Sequence, residues 1–181
     1  ATSINSENNV IEDFCNAEGI DIYRGSEDDV LGRTLNALNQ FNATIGVEIF
    51  GDCPLIDPRI VDFLISNFLN DSSDLDFLGN DIKTTFPPGM DVEVFKVSAL
   101  KDSAGQTNDP NLRENGTLYI RQNSERYKVK NLEAPINWHR PDLSMEVDTA
   151  EDLIVVEAII QNFDNLYFSL EDIISFLDDN P

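Results

Sequence analysis

The stretch TIGVEIFGDCPLIDPRIVDFLISNF, residues 44–68, decides the fold class of this chain. Its first part, Thr44 to Phe50, is rich in β-branched and aromatic residues and ends at Gly51-Asp52, which predicts a strand that runs into a loop. Its second part has Asp57 as a helix cap and Pro58 at the first helical position, where the missing N–H costs nothing. A strand followed directly by an amphipathic helix is the unit from which largely parallel α/β sheets are built.

The same alternation extends to both sides of this stretch. Apolar residues at helical spacing predict helices over Val10 to Cys15, over Val30 to Phe41, from Thr149 onward and after the cap Ser169. Short apolar runs predict two further strands, Leu75 to Leu78 and Leu143 to Val147. The helix from Thr149 is expected to turn Leu153, Val156, Ile160 and Phe163 inward. We therefore expect a single α/β domain over residues 1–181.

The alternation of predicted helices and strands ends after Pro87-Pro88-Gly89. Met90 to Val97 predicts a strand, residues 108–116 predict a polar loop or short helix, and residues 117–122 and 126–132 predict two more extended pieces. These predict a β-rich insertion over about residues 90–140. At the other end, the chain starts directly before a helix, without an opening strand. Since each βαβ unit begins with a strand and takes ~30 residues or more, we expect an N-terminally truncated sheet.

Composition excludes several classes of protein. Acidic residues outnumber basic ones 34 to 12 and the net charge is −22, so the overall field repels nucleic acids, and we interpret the charge as a solvated surface. No apolar run approaches the ~20 residues that span a bilayer, which predicts a soluble, cytoplasmic protein. Cys15 and Cys53 show no paired spacing, and His139 is the only histidine, so zinc sites built from several histidines are excluded.

Two aspartates follow predicted strands. Asp52 comes after the strand Thr44 to Phe50, and Asp148 comes after Leu143 to Val147. Ligands of open α/β sheets bind outside the carboxyl ends of the strands, so both carboxylates would approach one crevice if these strands are neighbours. Paired carboxylates suit Mg²⁺, which takes one or two of them plus substrate phosphates. The alternative is that Asp148-Thr149 only caps the next helix.

The basic residues are unevenly spread, since eight of the twelve lie between Lys96 and Arg140. Arg126, Lys128 and Lys130 alternate, so they share one face of a strand. That face suits an anionic sugar or an acidic partner, and the alternative is a solvated face that neutralises its acidic neighbours.

Four ordered motifs carry a family resemblance that covers nearly the whole chain. They are RGSEDDVLGR at residues 24–33, GDCPLIDP at 51–58, FPPGMDVEVF at 86–95 and VDTAEDL at 147–153. In this order they resemble the cytidylyltransferases of the spore-coat polysaccharide type. The G-D-x-P-L element is also similar to that of the manno-octulosonate and acylneuraminate cytidylyltransferases.

The resemblance implies a nucleotide-diphospho-sugar transferase fold, a Rossmann-like three-layer α/β/α sandwich with a mixed, mostly parallel sheet. It implies transfer of CMP from CTP to a sugar for surface polysaccharide synthesis, with release of pyrophosphate. It places Mg²⁺ on the catalytic residues Asp52 and Asp148. The nucleotide would lie near Arg24, Gly25, Ser26 and Gly51, and the sugar near Gly89, Asp91, Glu93 and Arg113.

The sequence also departs from the family pattern. Members open with a basic, glycine-rich loop that cradles the triphosphate, and residues 1–181 contain no such loop, so we expect weak or no activity. Glu48 stands where the family usually has arginine, and RENGTLY at residues 113–119 lacks the histidine and proline of the related element. The alternative function is a diverged, non-catalytic module that dimerises through the insertion. A third possible function is that of a metal-dependent glycosyltransferase that uses Asp74 and Asp76.

Overall fold

The computed structural model describes residues 1–165 and 167–180. The strands are β1 (Thr2–Ser3), β2 (Arg24–Gly25), β3 (Ile45–Ile49), β4 (Phe77–Gly79), β5 (Val92–Lys96) and β6 (Val129–Asn131). The helices are α1 (Asn9–Glu18), α2 (Val30–Gln40), α3 (Pro58–Asn70), α4 (Val97–Gln106), α5 (Pro110–Arg113), α6 (Leu118–Gln122), α7 (Ala150–Asn162) and α8 (Leu170–Asp179). A 3₁₀ turn over Ser6–Asn8 precedes α1.

The strands form two sheets. β1 and β2 pair in parallel, with Thr2 opposite Arg24 and Ser3 opposite Gly25. The other sheet has four strands in the order β3-β5-β4-β6, which is not the order of the sequence, so crossovers connect its strands. The sequence predicted that no strand precedes the first helix, and β1 corrects that prediction, because two residues are too few for a periodic pattern to reveal.

The residues group into two compact units. Unit 1 comprises residues 1–46, 75–77 and 95–129. Its buried cluster draws on α2, β4, β5, α4 and α6, and its members are Leu31, Phe77, Phe95, Ala99, Leu100, Ile120 and Tyr127. Gly46 lies against this cluster, and a Cβ at that position would come within 2.5 Å of the Phe95 ring. Only glycine therefore lets the Phe95 ring approach the start of β3 this closely.

Unit 2 comprises residues 47–74, 78–94 and 130–181. The helices predicted after Asp57 and after Ser169 are present as α3 and α8, and Ile60, Leu64, Phe68, Leu170 and Ile173 on them are buried. Asp57 joins the two helices, because its carboxylate accepts hydrogen bonds from the Arg59 N–H in the first turn of α3 and from the Leu170 N–H at the start of α8. One buried carboxylate thus satisfies N–H groups of two helix starts, which otherwise lack partners.

The insertion is less β-rich than predicted. β5 lies within the strand predicted over residues 90–97, and β6 is a three-residue part of the predicted 126–132 strand. The prediction of an extended piece over residues 117–122 is wrong, because α6 occupies it. The Asn115 side chain accepts hydrogen bonds from the Thr117 and Leu118 N–H groups and so satisfies the first N–H of this helix. All three elements described between residues 97 and 122, α4, α5 and α6, are helices.

The predicted strand Leu143 to Val147 is also wrong. This segment belongs to neither sheet, and its N–H groups instead bond to loops, Met145 to the Pro88 carbonyl at 2.8 Å and Val147 to the Asp52 carbonyl at 2.9 Å. In α7 the predicted inward face is partly corrected, since Val156 and Ile159 are buried but Leu153 is 46% exposed. The apolar repeat of α1 is exposed as well, with Val10, Ile11 and Phe14 between 42% and 69% accessible. No helix among the described residues is long and apolar enough to cross a membrane.

Candidate active site

The candidate site lies in unit 2, where the segment from Met145 to Asp148 meets two loops. The Pro88 carbonyl binds one end of this segment and the Asp52 carbonyl binds the other. The G-D-x-P-L loop after β3 and the Pro-Pro-Gly turn before β5 are therefore held by one extended piece of chain. The segment that carries Asp148 therefore lies beside the loop of Asp52, but it is not the neighbouring strand that the sequence predicted, and the approach of the two carboxylates stays a prediction.

Gly89 makes the close approach possible. Its φ is +93°, a conformation that side chains disfavour, and a Cβ there would lie 2.6 Å from the Met145 carbonyl carbon and 2.8 Å from the Glu146 nitrogen. Both of these atoms belong to the backbone and cannot rotate away. The Gly89 N–H also points to the Asp91 carboxylate, at 3.4 Å. Glycine at this position allows the turn to lie directly on the extended segment.

Three ligand-type side chains converge beside this turn. The Cys53 thiol and the carboxylates of Asp91 and Glu146 each offer an atom, and these atoms lie within 4.8 Å of one another. Burial raises the pKa of Asp91, and the negative charges of Asp81 and Glu146 raise it further, while the Gly89 N–H opposes the shift. Crowded carboxylates of this kind bind a proton readily or attract a positive group.

Cys53 is a protonated thiol at neutral pH. Its side chain is 3% exposed, and its Sγ donates to the Asp52 carboxylate at 3.5 Å. Burial, followed by the charges of Asp52 and Asp91, raises the pKa of the thiol to about 12. Since the thiolate is the nucleophile and metal ligand, Cys53 fills space in the site and supplies neither function in this environment.

Asp52 and Asp148 are both exposed, as a site for a solvent-borne ligand requires. The cap of α7 is Thr149, which forms a reciprocal capping box with Asp152. The Asp148 N–H donates to the Asp152 carboxylate at 3.1 Å, so Asp148 precedes the cap and its own side chain does not provide it. The donors that Asp52 and Asp148 offer are hard carboxylate oxygens, which fit Mg²⁺.

Arg24, Gly25 and Ser26 belong to unit 1, where Arg24 holds the start of the chain together. Its guanidinium donates to the carbonyls of Ser3 and Asn5 and to the side chains of Asn9 and Glu12, at 2.6–2.9 Å. Gly25 lies in β2 and pairs with Ser3. The Ser26 hydroxyl accepts from the Asp29 N–H at 3.1 Å, just before α2. These bonds use four of the five N–H groups of the Arg24 guanidinium.

Arg113 is also held by hydrogen bonds and an ion pair within unit 1. It donates to the carbonyls of Ala104 and Thr107 and pairs with Asp29 at 2.9 Å. Burial alone would raise the pKa of Asp29, but bonds from Arg113 and the Gly32 N–H outweigh it and lower the pKa. Glu93 lies in β5 and is 1% exposed, which leaves it inaccessible to a sugar in solution.

The alternating basic residues face acidic neighbours. Arg126 pairs with Asp102 at 2.7 Å, and Lys130 pairs with Asp71 at 2.7 Å. Asp76 of the D-x-D element accepts from Lys96 at 3.3 Å and from the Lys128 N–H at 3.0 Å. This arrangement supports the neutralised-face interpretation of the basic residues and gives Asp76 a structural role.

Sequence reasoning missed Asn80, Asp81 and Glu146. Glu146 directly precedes the V-D-T motif, so its position next to a motif residue was a usable signal. Asn80 and Asp81 follow β4, and the rule that polar residues after strands line the ligand site could have found them. Their meeting with the residues around Asp91 depends on how the irregular loop between β4 and β5 folds back, which no periodic pattern reveals.

Comparisons with known proteins identify the family. A sequence model described as cytidylyltransferase matches residues 1–173. An uncharacterized protein of Methanocaldococcus jannaschii is 33% identical over 181 residues, which cover 100% of this chain and 72% of that protein. The spore coat polysaccharide biosynthesis protein SpsF of Bacillus subtilis is 30% identical over 183 residues, covering 100% of this chain and 74% of the relative. A solved cytidylyltransferase structure from Leptospira borgpetersenii is 31% identical, with a TM-score of 0.91 over 99% of this chain and 74% of the other.

These matches confirm the resemblance that the four motifs carry. They also confirm the expected fold class, a mixed α/β nucleotidyltransferase fold with a parallel-rich sheet. Membership implies CTP and a sugar-type substrate. With a family match over residues 1–173 and relatives aligned along all of its length, the chain belongs to the cytidylyltransferase family.

Proposed function

We propose that this chain transfers CMP from CTP to a sugar, giving a CMP-sugar and pyrophosphate for surface polysaccharide synthesis in the cytoplasm. The observation that carries the proposal is the hydrogen bond from the Val147 N–H to the Asp52 carbonyl, at 2.9 Å. It brings the backbone of Asp52 beside the residue that precedes Asp148, which supports a shared role for the exposed aspartates of the G-D-x-P-L and V-D-T motifs. The polysaccharide role rests on the name of the Bacillus relative.

Asp52 and Asp148 are the residues that would hold Mg²⁺ in this proposal. The bound ion would supply positive charge against the triphosphate. The protonated thiol of Cys53 does not compete for the ion, and it keeps the Asp52 carboxylate oriented through the weak bond from Sγ. Gly51, which is exposed and next to Asp52, offers its backbone to the nucleotide.

The sugar side is assigned to Gly89 and Asp91. A partly buried carboxyl group beside Glu146 can accept a hydrogen bond from a sugar hydroxyl or donate one when it is protonated. The reaction has a sugar hydroxyl attacking the α-phosphate in line, and the residues contribute mainly by positioning and by stabilising charge. Glu93 and Arg113 are left out because Glu93 is buried and Arg113 is held by three hydrogen bonds within unit 1.

The test measures pyrophosphate release by the chain with Mg²⁺, with CTP or UTP, and with a panel of sugars. Turnover with CTP and none with UTP is the expected result. Calorimetry then compares Mg·CTP binding by the parent chain, by Asp52→Asn and by Asp62→Asn, an exposed aspartate on α3 that serves as the control.

We expect Asp52→Asn to weaken Mg·CTP binding about tenfold or more, equivalent to about 1.4 kcal/mol. Unchanged affinity would remove the metal role of Asp52. If CTP neither binds nor reacts, the diverged non-catalytic module replaces the enzyme as the function. Dimerisation through residues 90–140 is a separate prediction, and sedimentation analysis of the chain checks it.

A further inference from the structure

Asn80 is a buried amide directly after β4, and it bonds to the backbone on both sides of Asp91. Its Nδ2 donates to the Met90 carbonyl at 2.8 Å, and its Oδ1 accepts from the Val92 N–H at 2.8 Å. The residue is 1% exposed. The side chain thus continues the hydrogen bonding of a strand at a point where β4 has ended and β5 is about to begin.

The geometry points to Asn80 as the residue that positions Asp91 for the sugar. Asp91 lies between the two bonded residues, so buried hydrogen bonds hold its backbone on both sides. On the same loop, Gly89 packs on the Met145–Glu146 peptide. Together these contacts direct the Asp91 carboxylate to its place beside Cys53 and Glu146.

An amide is needed here because one bond requires a donor and the other an acceptor. Aspartate at position 80 would keep the acceptor for the Val92 N–H but would turn a second oxygen toward the Met90 carbonyl. Leucine has a similar size and supplies neither group, so it leaves two buried backbone groups without partners, and each such loss is costly. Asn80 cannot itself touch substrate, since it is buried, and its role is positioning.

This inference rests on the proposed function, because Asp91 is on the sugar side only in that proposal. Two measurements keep the two ideas separate. The first is hydrogen exchange of the Val92 amide in the full chain, which reports on the hydrogen-bonding role of Asn80 without any substrate. The second is the KM for CTP and for the sugar that the panel identifies, compared across variants.

The variants are Asn80→Leu, Asn80→Asp and Asp91→Asn, with Asn67→Leu as the matched control. Asn67 also donates from Nδ2 to a backbone carbonyl, that of Phe63, at 2.8 Å, but within α3. We expect Asn80→Leu to speed Val92 exchange and to raise the sugar KM about tenfold, the scale of one hydrogen bond to a charged group, with the CTP KM unchanged. Asn80→Asp keeps the bond from Val92 and should show the smaller effect on its exchange.

Three results would overturn the inference. They are unchanged Val92 exchange in Asn80→Leu, equal increases in both KM values, or an Asn67→Leu control that reproduces the sugar effect. If Asp91→Asn leaves the sugar KM unchanged, or if no sugar reacts, the proposed function fails instead, and Val92 exchange still decides the hydrogen-bonding role of Asn80. If Asn80→Leu does not fold, Asn80→Asp carries the same comparison of KM values.

Discussion

Replacing Gly89 with alanine tests whether the site depends on the close contact between the Gly89 backbone and the Met145–Glu146 peptide. The new Cβ would lie 2.6 Å from the Met145 carbonyl carbon, 2.8 Å from the Glu146 nitrogen and 2.9 Å from the Met145 oxygen. Real Cβ contacts are not that short, so the turn or the extended segment has to move. The φ of +93° adds a penalty that alanine cannot avoid.

The cost can be worked out from two contributions. Forcing alanine into a positive-φ conformation costs about 1–3 kcal/mol. Moving the extended segment weakens the bond from the Met145 N–H to the Pro88 carbonyl, which is 2.8 Å long, and a lost bond of this type costs about 1 kcal/mol. The sum is about 2–4 kcal/mol, which lowers the melting temperature of a chain of this size by about 4–16 °C.

The assay is thermal unfolding of the parent chain, Gly89→Ala and Gly105→Ala. Gly105 lies in α4 and its added Cβ meets nothing within 4 Å, so alanine there should stabilise by about 0.5–1 kcal/mol through helix propensity. The two substitutions add the same methyl group and should shift the melting temperature in opposite directions. Equal shifts would refute the reasoning, because the contact with Met145 and Glu146 would then carry no strain.

Three further predictions concern other buried or charged groups. Asp57→Ala removes the carboxylate that bonds Leu170 and caps α3, so urea denaturation should show a loss of about 2–4 kcal/mol; a loss below that of a surface substitution would contradict it. Burial alone would raise the pKa of Glu171, but the bond from Arg59 and neighbouring donors lower it to about 2. Because the pKa of Glu171 is lower in the folded chain than in the unfolded chain, its contribution to the free energy of unfolding is present above pH ~4.3 and is lost as the pH falls toward 2. Glu171→Gln should therefore flatten that part of a curve of unfolding free energy against pH. Cys53 should resist alkylation by a maleimide at pH 8 until urea unfolds the chain, because its side chain is buried and its pKa is raised to about 12. Mass spectrometry measures the labelling. Rapid labelling of the native chain would show that the thiol is accessible and would contradict the prediction.

Local signals in the sequence predicted much of the fold. α3 begins at Pro58 as expected, because Asp57 caps it and proline suits the first turn. The starts of α7 and α8 were equally readable, since Thr149 and Ser169 each form a capping box with an aspartate three residues later. These signals lie within a few residues of the helix that they start, so distant contacts do not change them.

Predictions of strands failed in two segments where hydrogen bonds to other parts of the chain decide the backbone conformation. β-branched and aromatic residues suggested an extended piece where α6 lies, and in the structure Asn115 accepts hydrogen bonds from the N–H groups of Thr117 and Leu118 at the start of this helix. The segment Leu143 to Val147 has the composition of a strand, but its N–H groups bond to two loops. Composition does not distinguish pairing with a strand from pairing with a loop, since both require extended backbone.

The sequence by itself determined the family, the α/β class and the two exposed aspartates at its motif ends, because these depend on residue order and on local capping. Only the tertiary structure decided that Glu146 and Asp91 meet beside Cys53, that Gly89 lies against a peptide bond, and that Asn80 bonds on both sides of Asp91. The physical reason is that the contacts of Gly89 and Asp91 with Met145 and Glu146 join segments far apart in the chain, and the bonds of Asn80 close a loop of irregular backbone. Their short distances follow from how loops close on one another, which no periodicity or spacing in the sequence encodes.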